Sequence, residues 1–140
     1  MKGYVNVFTD GASRGNPGES AIGIVISDEK NELILDFKKY IGKGTNNSAE
    51  YRALIESVRI LKDIDLEFEH INFYCDSELI VKQVRGEYKI KNPDMIKLSG
   101  EFFSELNKLK KKYIITHIPR EKNRLADKLA NEALNELKKQ

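Results

Sequence analysis

The first third of the chain alternates between apolar and polar residues with the period of β-strands. Tyr4 to Asp10 forms one such segment, and the β-branched stretch from Ala21 to Ser27 forms a second. A third, from Leu33 to Ile41, follows a polar turn at Asp28 to Asn31. Three glycines and a proline predict a loop over Gly11 to Gly18. Because the connections are short, we expect these strands to form an antiparallel meander.

The pattern then changes to the spacing of helices. Apolar residues at helical intervals predict a helix from Ala49 to Lys62, with candidate N-caps in Thr45 to Ser48. The later elements are a strand over Ile71–Cys75, a short helix over Ser77–Val84, a loop over Gly86–Pro93, a helix over Asp94–Lys112, a strand over Tyr113–Ile118 and a helix over Glu121–Lys138. This order predicts an α/β fold whose five-stranded mixed sheet has three antiparallel strands, then two parallel ones, with helices on both faces.

Composition limits the classes of protein to consider. The 140 residues can bury one core, and we expect residues 1–140 to form a single domain. Apolar residues make up 40% and charged residues 33%, which excludes a long disordered chain. With no membrane-length apolar run and no signal-peptide pattern, we expect a cytoplasmic protein. The single cysteine, Cys75, excludes a disulfide framework and a Cys-rich zinc site, and we expect a buried thiol there.

Charge is balanced overall but unevenly distributed. The net charge of +2, from 24 basic and 22 acidic residues, does not by itself predict a polyanionic partner. Basic residues cluster within Lys82–Lys91, Lys108–Lys112 and Arg120–Lys128. Such clusters usually form solvated faces, and they indicate nucleic-acid binding only where they border a site that chemistry identifies independently.

Four carboxylates occupy positions that a fold alone would not favour. Asp10 and Asp76 each end a predicted strand, where mixed α/β sheets gather their sites, although each alone is typical of a turn or a helix cap. Glu50 lies in the first turn of its helix but shares a face with Leu54, so it points toward the core. Asp127 similarly lies on the apolar stripe of the final helix.

Grouped, partly buried acids raise one another's pKa values, and a cation relieves the repulsion. Oxygen ligands without a cysteine or histidine cluster suit Mg²⁺ or Mn²⁺ rather than zinc. Two such ions about 4 Å apart can activate a water molecule and stabilise the leaving oxygen of a phosphodiester. The periodicity therefore indicates an acidic metal site and goes no further.

Four segments resemble, in the same order, the four motifs of type 1 ribonuclease H. They are Thr9–Gly18, Thr45–Leu54, Tyr74–Ser77 and His117–Asn131, and the likeness extends from Tyr4 to about Leu137. The resemblance implies the ribonuclease H-like fold. It also implies an endonuclease that hydrolyses the RNA strand of RNA–DNA hybrids and leaves 3′-hydroxyl and 5′-phosphate ends.

The same resemblance assigns roles to the acids. Asp10, Glu50, Asp76 and Asp127 fall on the family's metal ligands and would hold two Mg²⁺ ions, with Mn²⁺ as a substitute. Asp10 would bridge both ions, Glu50 and Asp76 would hold the ion on the leaving-group side, and Asp127 the ion that delivers the attacking water. His117 has the spacing of a catalytic histidine before Asp127, yet it continues a predicted strand, so catalytic and packing or surface roles both stay open.

Substrate contacts follow from the resemblance as well. The candidates are Asn16, Thr45, Asn46, Asn47, Lys82, Lys89, Lys91, Arg120 and Asn123. The asparagines of the first two motifs would contact the minor groove, where 2′-hydroxyls distinguish RNA from DNA. For these asparagines and Thr45, loop and capping roles are the alternative.

The chain departs from the family pattern in three places. Glu78 replaces a glutamine found in some members, and the stretch Arg85–Pro93 is compact and without Trp where many bacterial members carry a basic, Trp-rich protrusion. No hybrid-binding domain is recognised ahead of the first motif. Two alternatives remain: a nuclease of the same fold acting on double-stranded RNA or branched nucleic acid, and a non-catalytic binding module. We expect a monomer with no obligate protein partner.

Overall fold

The computed structural model describes residues 3–137. Its elements in chain order are β1 (Tyr4–Gly15), β2 (Gly18–Asp28), β3 (Leu33–Gly44), α1 (Asn46–Asp63), β4 (His70–Cys75), α2 (Glu78–Val84), α3 (Pro93–Leu109), β5 (Lys112–His117) and α4 (Arg124–Leu137). A short 3₁₀ helix over Arg120–Lys122 precedes α4. The order of strands and helices predicted from the sequence is confirmed.

The five strands form one mixed sheet in the order β3-β2-β1-β4-β5. β2 pairs antiparallel with β1 and β3, whereas β4 pairs parallel with β1 and β5, as predicted. In the β1–β4 ladder Thr9 lies opposite Cys75. The residues that follow them, Asp10 and Asp76, are therefore neighbours just past the end of the β1–β4 ladder, where β4 stops and β1 continues in its pairing with β2.

The loop predicted over Gly11 to Gly18 is wrong. β1 and β2 continue as a paired ladder up to the Gly15–Gly18 pair, which leaves a turn of two residues between them. The glycine at the start of this segment permits close approach instead of breaking the strand. A Cβ on Gly11 would lie 2.3 Å from the backbone carbonyl carbon of Ala49 in α1. The β1–β2 hairpin consequently lies directly against the start of α1.

Three helix boundaries also differ from the predictions. α1 begins at Asn46, earlier than the predicted Ala49, because Thr45 is its N-cap. α3 ends at Leu109, earlier than predicted, because Lys110 adopts the left-handed conformation with φ of 55°. α4 begins at Arg124, later than predicted, because the 3₁₀ helix takes up the residues before it. The predicted end of that helix, Lys138, lies outside the described residues.

Helices cover both faces of the sheet and bury two layers. α1 packs on one face, where Phe73 of β4 meets Phe102 of α3 edge-on with ring centroids 5.7 Å apart. α4 covers β1 to β3 on the other face, where small residues allow close backbone packing. Cys75 is fully buried, as predicted. None of the helices within residues 3–137 is long and apolar enough to cross a membrane.

Candidate active site

Three of the four predicted acids meet where the β1–β4 ladder ends, beside the carboxyl end of β4 and the middle of β1. One carboxylate oxygen from each of Asp10, Glu50 and Asp76 lies within 4.8 Å of the other two. Asp10 is 5% exposed and Glu50 7%, while Asp76 is half-buried. Burial of an unpaired carboxylate is costly, so buried carboxylates need hydrogen-bond donors, a positive charge or a metal ion beside them.

Glu50 is held in the cluster by the hairpin that stands in place of the predicted loop. Its Oε1 accepts a hydrogen bond of 2.6 Å from the backbone N–H of Gly11. α1 begins one turn earlier, where Thr45 and Ser48 form a capping box that satisfies the first free amides of the helix. The capping box fixes the first residue of α1, and the Gly11 N–H fixes the position of the Glu50 carboxylate.

Asp127 joins the cluster from the opposite face of the sheet. It lies in the first turn of α4, within hydrogen-bonding distance of Asp10, and it lines the same cleft. Asn131, one turn later, donates from Nδ2 to Asp127 Oδ1 at 3.1 Å. The structure thus brings the four predicted acids together, with oxygens of three of them within 4.8 Å of one another and Asp127 beside Asp10.

Crowding of these acids shifts their protonation. Burial, and then the charges of Glu50 and Asp76, raise the pKa of Asp10 from 3.8 to about 10. Burial and the charge of Asp76 raise the pKa of Glu50 from 4.5 to about 8, against the opposing effects of the Gly11 N–H and the Arg120 charge. Without a metal, Asp10 and Glu50 therefore tend to stay protonated. A bound cation would relieve the repulsion between the carboxylates and allow them to ionise.

The donor set fits a hard divalent cation. All four candidate ligands are carboxylates, and no histidine or cysteine joins the group of mutually close metal-binding atoms in the described residues. Oxygen donors of this kind suit Mg²⁺ and Mn²⁺. The cleft around them measures about 390 Å³ and is lined mainly by polar residues: Asp10, Gly11, Ala12, Ser13, Asn46, Asn47, Glu50, Asp76, Ser77, Arg120, Asp127 and Asn131.

We expect the metal-free protein to lose stability as the pH rises. Between the unfolded value of 3.8 and the folded pKa of about 10, Asp10 is ionised when unfolded but protonated when folded. The folded protein then binds more protons than the unfolded chain, so the free energy of unfolding falls with increasing pH. Thermal unfolding in EDTA between about pH 5 and pH 9 should show a declining Tm. A flat or rising Tm would contradict this electrostatic description.

Several predicted substrate residues lie around the cleft. Asn46 and Asn47 line it at the start of α1, and Arg120 lines it from the 3₁₀ helix. Asn46 also ties the hairpin to α1, because its Oδ1 accepts from Ser13 N at 2.9 Å and its N–H donates to Asn16 Oδ1 at 3.2 Å. Asn16 and Asn46 thus have a structural role whether or not they contact a ligand.

The predicted basic contacts that follow β4 do not line the cleft. Lys82 forms an ion pair of 3.0 Å with Glu78 and lies over the Tyr88 ring, 5.0 Å from its centroid. The negative charge of Glu78, which replaces a glutamine found in some family members, is therefore paired with a lysine of the same helix. Lys89 and Lys91 are exposed in the compact connection between α2 and α3. Thr45 uses its hydroxyl to cap α1, which is the alternative to a phosphate contact.

The positions of His117 and Asn123 bear on the roles predicted for them. His117 is the exposed last residue of β5, so the strand interpretation holds, and a catalytic role stays open. Asn123 is 1% exposed, so the predicted contact with substrate is not available to its side chain. Its amide instead donates to Asp76 Oδ2 at 3.2 Å.

Sequence reasoning missed two contributors to the site. The N–H of Gly11 binds Glu50, and no side-chain pattern reveals a backbone donor. Asn131 binds Asp127 from four residues along the same helix, and that spacing was visible in the sequence because residues four apart share a helix face.

Comparison with known proteins agrees with this geometry. A family model described as "Reverse transcriptase-like" matches residues 8–133. The Ribonuclease HI of Halobacterium salinarum is 39% identical over 134 residues, and the "Bifunctional protein" of Mycobacterium tuberculosis is 35% identical over 136. These matches cover 96% and 94% of this chain. They cover 66% and 35% of those relatives, so the chain spans less than two thirds of either curated protein.

Solved structures match over nearly the whole chain. LC11-RNase H1, whose crystal structure is a complex with an RNA/DNA hybrid, is 39% identical with a TM-score of 0.90. That match covers 95% of this chain and 98% of the LC11 chain. The four acids all lie within residues 8–133, the span that the family model matches. Family model, sequence identity and superposition together show that this chain belongs to the ribonuclease H type 1 family.

Proposed function

We propose that this protein is a metal-dependent endonuclease that hydrolyses the RNA strand of RNA–DNA hybrids, leaving 3′-hydroxyl and 5′-phosphate ends. The observation that carries the proposal is the cluster of Asp10, Glu50 and Asp76 within 4.8 Å, with Asp127 beside it. The names of its relatives, Ribonuclease HI and Ribonuclease H, support the same activity. Residues 1–140 would act as a single catalytic domain, monomeric and cytoplasmic.

In the proposed mechanism the protein's role is to hold the metal ions in position. Asp10, Glu50, Asp76 and Asp127 would hold two Mg²⁺ ions, or Mn²⁺ in their place. Bound there, the ions would supply an activated water molecule and stabilise the leaving oxygen of the phosphodiester. The Gly11 N–H and Asn131 fix the Glu50 and Asp127 carboxylates before substrate arrives. Because the phosphate is already anionic, the acids would repel it unless their own charge were neutralised.

Polar side chains around the cleft would recognise the hybrid. Asn46 and Asn47 line it and offer amides to the minor groove, where 2′-hydroxyls mark the RNA strand. Arg120 lies on the same cleft and would bind a phosphate oxygen. The structure of LC11-RNase H1 with an RNA/DNA hybrid supports this substrate class.

A gel assay with end-labelled strands tests the proposal. The substrates are an RNA–DNA hybrid, double-stranded RNA, a branched junction and single-stranded RNA, each incubated with Mg²⁺, Mn²⁺ or EDTA. The proposal expects cleavage of the RNA strand of the hybrid, dependent on the metal and lost in Glu50→Gln. The 5′ ends of the products should be ligatable without prior phosphorylation.

The assay also separates the alternatives. Comparable cleavage of double-stranded RNA or of the junction would favour a broader nuclease of the same fold. Binding of the hybrid without cleavage by folded protein, with either metal, would overturn the enzymatic proposal in favour of a binding module. The buried acid cluster argues against the latter, because clustered negative charge alone repels phosphate.

Lys89 and Lys91 should contribute affinity without contributing chemistry. Both are exposed in the connection between α2 and α3 and would contact a phosphate backbone. The double variant Lys89→Ala/Lys91→Ala should raise KM with little change in kcat, and lower the slope of log affinity against log salt by about 2. Lys30→Ala, at the β2–β3 turn and the opposite end of the sheet, is the matched control. An unchanged salt slope would exclude these two phosphate contacts.

A further inference from the structure

We infer that Asn123 is a positioning residue that joins three of the four acids into one preorganised ligand set. It lies between the 3₁₀ helix and α4 and is almost fully buried. Its side-chain Nδ2 donates to the Thr9 carbonyl at 2.9 Å and to Asp76 Oδ2 at 3.2 Å. Its own carbonyl accepts from the Asp127 N–H at 3.1 Å. The inference rests on the proposed function, since it assumes that these acids bind metal.

Each contact of Asn123 reaches a different acid. Thr9 immediately precedes Asp10, so the bond to its carbonyl holds the part of β1 from which Asp10 projects. Asp76, at the end of β4, is bound directly. Asp127 is held through the first hydrogen bond of α4. A displacement of Asn123 would therefore change the relative positions of β1, β4 and α4, the three elements from which these acids project.

The chemistry of the amide explains why asparagine suits this position. Both N–H groups of Nδ2 have acceptors, while Asn123 Oδ1 has no partner among the described residues. The flipped amide would turn its oxygen toward two acceptor oxygens, so the observed orientation is strongly favoured. The site therefore uses Asn123 as a pair of donors aimed at a carbonyl and a carboxylate.

Preorganisation of this kind acts on metal affinity. Removal of a group that holds a metal ligand in place typically lowers metal affinity or activity by about 10–100-fold. Asn123→Ala should therefore weaken Mn²⁺ binding by about 10-fold or more, although the four carboxylates remain. A residue that served only to pack α4 would lower the Tm and leave the Kd for Mn²⁺ unchanged below the unfolding transition.

The experiment is a calorimetric titration of Mn²⁺ into the full chain, beside thermal unfolding in EDTA and hybrid cleavage. Asn123→Ser is the second variant, because serine starts a helix as well as asparagine does but its shorter side chain cannot reach both acceptors. The matched control is Asn72→Ala. Asn72 is a partly buried asparagine of β4 whose amide bonds to Asn6 at 3.2 Å, away from the acids.

The outcomes are distinct. Weaker Mn²⁺ binding in both Asn123 variants, with a lower kcat and with Asn72→Ala binding like the unsubstituted protein, supports the inference. Unchanged Mn²⁺ affinity in either folded Asn123 variant overturns it and leaves only a packing role. Absence of Mn²⁺ binding in the unsubstituted protein would instead contradict the proposed function itself.

Discussion

Asp10→Asn should abolish cleavage of the hybrid while leaving hybrid binding largely intact. Asp10 is at the centre of the acid cluster, close to Glu50, Asp76 and Asp127. Removal of one stabilising donor from an active site costs about 10²–10³-fold in rate, and loss of the most central ligand should exceed that. Single-turnover cleavage with Mg²⁺ measures the chemical step, and a fluorescence-anisotropy titration of the hybrid measures binding.

The same substitution should stabilise the metal-free protein. Asp10 is buried among acids that raise its pKa, so an uncharged amide removes a group whose ionisation opposes folding. In EDTA the Tm of Asp10→Asn should exceed that of the unsubstituted protein, with a gap that widens as the pH rises. Added Mg²⁺ should raise the Tm of the unsubstituted protein much more than that of the variant, because binding to the folded state stabilises it.

Asp65→Asn is the matched control for charge, since Asp65 is exposed in the connection between α1 and β4. It should change neither turnover nor Tm appreciably. Normal turnover of Asp10→Asn with Mg²⁺ would show that the metal ligands have been assigned wrongly. Lost turnover combined with a lower Tm in EDTA would instead show that Asp10 is a structural group.

The order of the strands and the positions of the acids were predictable from the periodicity of the sequence. Strands alternate and helices repeat, and a carboxylate such as Glu50 on an apolar face stands out against that periodicity. Asp76 was recognisable as the residue that follows a strand. The expectation that Asp10 also ends its strand was wrong, because β1 continues to Gly15, but the parallel pairing of β1 with β4 still brings the two acids together. Four motifs in family order then made the interpretation specific, which no single acid would have done.

What the sequence did not reveal depends on contacts between segments that are distant along the chain. The glycines after Asp10 looked like loop signals, yet Gly11 is paired in a strand. It is glycine because α1 leaves no room for a Cβ there. Asn123 was predicted to lie in the final helix and to contact substrate. Its burial follows from the packing of α4 on the sheet, and single-sequence patterns do not report which side chain such packing encloses.

Gly23→Ala should destabilise the fold strongly, although it adds only one methyl group. Gly23 lies in β2 under α4, and a Cβ there would be 2.0 Å from the Ala126 carbonyl oxygen and 2.9 Å from the Ala130 N. Both contacts are backbone atoms, so no rotamer change relieves them and α4 must shift. Overpacking of this kind costs about 3 kcal/mol, which corresponds to a Tm lower by about 10 °C in a chain of this size.

Gly100→Ala is the matched control, because the same change should have the opposite sign. Gly100 lies within α3, and a Cβ there would meet nothing within 4 Å. Alanine in a helix interior is more favourable than glycine by about 0.5–1 kcal/mol, so its Tm should rise slightly. Gly23→Ala should also lower turnover, because a shifted α4 carries Asp127 away from Asp10. If both variants unfold at the same temperature, α4 does not pack on β2 as closely as described.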